Sequence, residues 1–192
     1  MAKKNEFKPD KPYSSWLSRL YLTRKQRRTL LKWLLYALVL LVLSVLQDVV
    51  LSHLRLFGAT TDLVPCGIFM ICILEGAQSG SVFALVASLL YLFSGTAPGT
   101  YSVALLTFLG IGASIFRQAY LQKGIGAALL CTAAAMLLYQ FITFGFGLFL
   151  GLTIPARWIG FLTTTVLSLL ITPLLYPICL SIGTIGGETW KE

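Results

Sequence analysis

The sequence predicts an all-α integral membrane protein: a bundle of six transmembrane helices with both chain ends on the inner side. Three observations carry this reading. Of the 192 residues, 57% are hydrophobic and only 11% are Asp, Glu, Lys or Arg, against roughly 25% charged residues in soluble domains. A soluble fold of this size cannot bury so much apolar surface, and a disordered chain needs the opposite composition. The formal charge of +8 is concentrated at the start: residues 1–32 hold ten Lys and Arg against two acids, whereas the remainder holds five against five. The rest of the chain is a series of apolar runs separated by short breaks rich in Gly, Pro, Ser and Thr.

Residues 1–12 are polar and predict no fixed structure. Across 13–28, Trp16, Leu17, Leu20 and Tyr21 recur at helical spacing against Arg19, Arg24, Lys25, Arg27 and Arg28. Two readings stand: a short helix lying in the inner interface, or a solvated basic tail that sets orientation. Either way residues 1–32 form a basic cytoplasmic segment beside anionic lipid. A basic stretch leading into an apolar run points to membrane topology, not to nucleic acid.

The first span is expected at Trp33–Leu51, as an uncleaved anchor without an A-x-A site. After a polar break containing His53, Arg55 and Gly58, residues 63–93 are apolar for 31 positions apart from Glu75, Gly76, Gln78 and Gly80. One helix of that length would reach about 46 Å, too long for a hydrocarbon layer of about 30 Å. A tight hairpin at Glu75–Gly76 divides it into spans near 60–75 and 77–94, and the SGTAPGT stretch from Ser94 to Thr100 is a turn. The fourth span runs from Tyr101 to Phe116, closed by Arg117 and Lys123. The fifth covers Ile125–Leu150, with Gly145 and Gly147 as points of bending. The sixth covers Arg157–Ile182, with Pro173 and Pro177 as kinks. The membrane domain is thus 33–183, followed by a short cytoplasmic tail at 184–192. With six spans, thirteen Lys and Arg fall inside and only Arg55 and Arg157 outside, which orients the bundle N-in and C-in.

No catalytic signature is present. One histidine cannot form H-E-x-x-H, GAQSG at 76–80 has Gln where a nucleophile elbow needs Ser, and no Walker A or complete G-x-G-x-x-G motif occurs. The reading is non-enzymatic, without cofactor. Cys66, Cys72, Cys131 and Cys179 lie within apolar runs and form no C-x-x-C, so they read as reduced core residues, not metal ligands.

Two groups of residues are candidates for contact. Gly76, Gly80, Ala84 and Ser88 are spaced by four, a row that lets backbones approach closely; the neighbouring helix is internal or belongs to a partner. Gln47 and Asp48 close the first span, Asp62 opens the second as a helix cap, and Glu75 marks the hairpin. Charge at membrane depth is costly, about 2.5–3.5 kcal/mol on insertion scales, and these acids are expected near span ends. Their functional reading is a polar contact site for a partner helix or small ligand, with Gln47, Asp48, Asp62, Gly76, Gly80 and Ala84 as the candidate set. Gln140, Thr143, Thr163 to Thr165 and Ser168 trace no proton or ion path.

Over residues 45–120 the chain resembles the bacterial rod-shape-determining MreD family. The likeness rests on LQDVVLSHLRLFG (46–58), TDLV (61–64), EGAQSGSVFA (75–84) and ASLLYLFSGTAPGTYSVALLTFLGIG (87–112). Thr61 stands where the family has Pro, Tyr91 where it has Asp, and Pro98 where it has Leu. The resemblance implies a fold like the substrate-binding subunit of energy-coupling-factor transporters. It also implies a scaffold of cell-elongation peptidoglycan synthesis in the bacterial cytoplasmic membrane. The implied partners are an MreC-like protein, the elongation transglycosylase and class B penicillin-binding protein, and an MreB-like filament. The fold likeness supplies a rival, a vitamin-binding transporter subunit. Against it, the first span has only Ala37 where those subunits carry an Ala-x-x-x-Ala row.

Overall fold

The computed structural model describes residues 24–51, 61–120 and 124–185. Residues 13–23 of the expected interfacial helix, the loop with His53, Arg55 and Gly58, Lys123 and the end of the tail lie outside these. Every regular element among the described residues is helical. The helices are α1 (Arg24–Val45), α2 (Leu63–Glu75), α3 (Ala77–Phe93), α4 (Tyr101–Tyr120), α5 (Ile125–Phe149) and α6 (Trp158–Ile185). α1 continues into a π-helical turn, Leu46–Leu51, and a short 3₁₀ turn at Pro155–Arg157 leads into α6. Four segments are long and apolar enough to cross a membrane: Gln26–Val49, Tyr101–Tyr120, Ile125–Phe149 and Pro155–Ile185; α2 and α3 are shorter apolar helices. This fits a multi-pass membrane protein.

The long apolar run divides where the length argument placed the break. Gly76 ends α2 with φ +88°, a left-handed conformation that suits glycine. The next helix starts one residue later.

α2 is the centre of the bundle. Leu63 to Leu74 are all buried, and the helix packs against each of the other five. Such burial requires apolar side chains all round, and LVPCGIFMICIL supplies them. The small-residue row faces inward. Gly80, Ala84 and Ser88 are buried, and a Cβ on Gly80 would stand 2.9 Å from the Cα and carbonyl oxygen of Cys72. Gly110 of α4 meets the Sγ of Cys72 and the Cβ of Ala84 in the same layer. Small residues thus bring α2, α3 and α4 together, so the row serves an internal neighbour.

Some expected boundaries move. α1 begins nine residues before Trp33, at Arg24. α4 continues past Phe116 to Tyr120, so Arg117 is a helical residue, buried in the bundle. α5 and α6 run without interruption through Gly145 and Gly147 and through Pro173 and Pro177. All four cysteines are free and buried.

Candidate functional site

A helix buried on all sides has no water to complete the hydrogen bonds of its end groups, so α2 must borrow partners from its neighbours. At its C-terminal end, Gly76 N–H donates to Cys72 O at 3.0 Å, Arg117 Nη1 donates to Ile73 O, and Ser79 Oγ donates to Glu75 O at 3.0 Å. A cation at a helix C-terminus also complements the macrodipole.

Beside this end lies a buried ion pair. Lys32 Nζ reaches Glu75 Oε2 at 2.6 Å, with the two side chains 6% and 8% exposed. Tyr36 OH donates to Glu75 Oε1 at 2.6 Å and stands 3.2 Å from Cys179 O. α1, the hairpin and α6 are therefore fastened at one point. Lys32, counted from sequence as part of the basic cytoplasmic segment, faces the interior.

At the N-terminal end of α2, the capping residue is not the expected one. Asp62 occupies the cap position but makes no side-chain cap bond. Gln47 does that work from the π-helical turn that continues α1: its Oε1 accepts from Leu63 N at 2.9 Å and Val64 N at 3.2 Å. Pro65, next in the first turn, brings no N–H. The backbone N–H of Asp62 donates to Ser168 Oγ on α6 at 2.8 Å.

The Asp62 carboxylate is thereby free of its own helix and collects donors from three others. Oδ1 accepts from Gln47 Nε2 at 3.4 Å and Tyr91 OH at 3.3 Å. Oδ2 accepts from Gln140 Nε2 at 2.9 Å. All three donors are neutral. The carboxylate stays at the positive end of the α2 dipole, which partly offsets its cost.

Its depth departs from the sequence reading, which put Asp62 near a span end. Gln140 stands nine residues from the end of α5, and Ser168 ten residues from the start of α6. At 1.5 Å per residue, Asp62 is level with points about 14–15 Å inside those helices. α2 has only 13 residues and spans about 20 Å, so it begins well inside the bundle.

Of the six candidate residues, five are wholly or partly buried in the bundle. Gln47 and Asp62 meet in the polar layer, Gly80 and Ala84 in the α2–α3–α4 seam. Gly76 is buried at the hairpin, where a Cβ would stand 2.5 Å from Gln118 Nε2. Asp48 alone is exposed. Sequence reasoning missed Tyr91, Gln140 and Ser168 as members of the Asp62 layer. Their polarity within apolar helices was the available signal, but nothing local tied them to one carboxylate.

Two apolar grooves flank this layer. Between α1 and α3 lies a cavity of about 560 Å³, lined by Ala37, Leu41, Ser44, Ala87, Leu90 and Tyr91 among others. Between α5 and α6 a second, of about 420 Å³, reaches Gln140 and Thr165 past Phe141, Phe144 and Trp158. Searches against protein-family models, curated proteins and solved structures return no match.

Proposed function

We propose that the chain is a non-enzymatic six-span scaffold of the bacterial cytoplasmic membrane, N-in and C-in, that organises cell-elongation peptidoglycan synthesis through helix contacts in lipid. The observation that supports this best is the α1–α3 groove. The two helices meet at one end through Trp33, Tyr36 and Phe83, with Trp33 and Phe83 ring centroids 5.4 Å apart. Further along they part, leaving a groove whose floor is the buried Leu40, Val64, Ala87 and Tyr91, between the more exposed Leu34, Leu38, Leu41 and Leu90. A groove of this kind accepts the large apolar side chains of a neighbouring transmembrane helix. The exposed Asp48 lies on the turn that closes α1. The orientation follows from the Lys and Arg count, and the position of Lys32 and Arg117 at the hairpin end of the bundle agrees with it. By family resemblance the partners are an MreC-like protein, the elongation transglycosylase and class B penicillin-binding protein, and an MreB-like filament.

The test is gentle detergent extraction of the tagged protein from its native membrane, followed by mass spectrometry. An MreC-like protein and the elongation synthases should co-purify with the wild type and be lost from a groove-filling Ala87→Trp variant that keeps its yield. A second reading, a substrate-binding transporter subunit, is favoured by the polar layer at Asp62. Paired ATPase subunits with a coupling membrane protein in the eluate would select it and sink the scaffold.

A further inference from the structure

A single carboxylate well inside an apolar bundle calls for neutralisation, yet among the described residues the side-chain partners of Asp62 are two amides and a phenol. Among the described residues the basic side chains are engaged elsewhere or stand apart. Lys32 is held by Glu75, Arg117 reaches Ile73 O eleven residues along α2, and Arg157 is exposed eleven residues before Ser168.

The same layer has more polar oxygen than its hydrogen bonds use. The hydroxyls of Thr61, Tyr139 and Thr143 are buried without a hydrogen-bond partner, in residues only 7%, 0% and 6% exposed. Thr61 directly precedes Asp62. Tyr139 and Thr143 flank Gln140 on the face of α5 that meets α2, where the Tyr139 ring packs edge-on against Phe69 at 6.2 Å. Tyr139 lies close to both Asp62 and Thr143. Among the described residues neither these two hydroxyls nor that of Thr61 has a well-formed hydrogen-bond partner, and buried hydroxyls left so are costly unless something binds them.

We propose that the layer around Asp62 binds a monovalent alkali cation, with Asp62 supplying the charge and the hydroxyls of Thr61, Tyr139 and Thr143 supplying neutral oxygen ligands. Hard cations take carboxylate and hydroxyl oxygen. One carboxylate balances one positive charge, whereas divalent sites gather several acids. Among the described residues no three of His, Cys, Asp and Glu come together. Gln47, Tyr91 and Gln140 would then be positioning residues that hold the carboxylate in place. This inference stands apart from the scaffold reading.

The test uses the full chain in detergent, with thermal unfolding followed at constant pH and ionic strength while sodium or potassium chloride replaces choline chloride. A ligand that binds only the folded state raises the midpoint as its concentration grows. The wild type should show a saturable rise with one of the alkali ions. Asp62→Asn should lose that dependence. Thr143→Val, which keeps the charge, should raise the half-saturating concentration about tenfold, and radioactive sodium or potassium binding to the wild type reads the site without any variant. A wild-type midpoint indifferent to the cation overturns the proposal. So does an unchanged dependence in Asp62→Asn, or a response to pH alone, which would make the site a proton site.

Discussion

Gln140 Nε2 donates to Asp62 Oδ2 at 2.9 Å, joining α5 to the start of α2 across 78 residues of sequence. Through this bond and those of Gln47, Tyr91 and Ser168, the N-terminal end of the central helix is held by four of its neighbours. At the other end of α2 the hydrogen-bond partners come from Arg117 and Ser79, with the Lys32–Glu75 pair alongside. A buried helix requires such service at both ends, and in this bundle it comes from side chains of other helices.

Gln47 should be among the most sensitive polar positions. Gln47→Leu leaves two backbone N–H groups of α2 without an acceptor and removes a donor from Asp62. An unsatisfied buried group costs about 1–3 kcal/mol, so the variant should unfold several degrees lower in detergent. Gln47→Glu keeps the acceptor but sets a second negative charge against Asp62, and should be no better than Gln47→Leu. A thermal scan of both checks this.

The Lys32–Glu75 pair should behave as a unit. Removing one partner of a buried pair costs about 3–5 kcal/mol because the other charge is left alone. Lys32→Met and Glu75→Gln should each destabilise strongly. The double variant should cost clearly less than the two single effects added together. A double-mutant cycle on unfolding midpoints measures the coupling, and additivity would contradict the geometry.

Gly80→Ala should be damaging although it adds one methyl group, because that methyl meets the Cys72 backbone, which cannot rotate away. Overpacking of this kind costs about 1–3 kcal/mol, and Gly80→Leu should abolish folding. Gly112→Ala on the neighbouring α4 faces open space and should be neutral or mildly stabilising, since alanine is the better helix former by about 1 kcal/mol. Folded yield after detergent extraction compares the three.

Tyr91→Phe should lower stability modestly, by about 1 kcal/mol, the net worth of one neutral hydrogen bond. Its ring still fills the layer, so packing is retained. Tyr91 OH also stands 3.5 Å from Thr96 O in the Ser94–Thr100 turn. Amide exchange at that turn should therefore quicken in the variant.

The expected hairpin is where sequence and structure agree most closely. A run of 31 apolar residues was too long for one span, and Glu75, Gly76 and Gly80 marked the only break within it. The spacing of Gly80, Ala84 and Ser88 likewise identified a packing face, and that face is buried. The limits of local reading show at Lys32, Asp62 and Arg117. Lys32 closes a basic segment and so read as part of the cytoplasmic flank of the first span. Asp62 precedes a helix and so read as its cap. Arg117 follows an apolar run and so read as a loop charge. All three face the interior.

The sequence by itself determined the class of the protein: apolar helices, their approximate limits, the concentration of charge at the start, and which faces carry small residues. These depend on composition and on the 3.6-residue period, which operate between neighbours in the chain. Tertiary structure alone decided which helix is central, how deep Asp62 lies, and that Gln47, Tyr91, Gln140 and Ser168 meet around it. Depth and hydrogen-bond partnership arise from how separate helices slide and rotate against one another. Ser168 is 106 residues from the backbone N–H it accepts, and no periodicity extends that far.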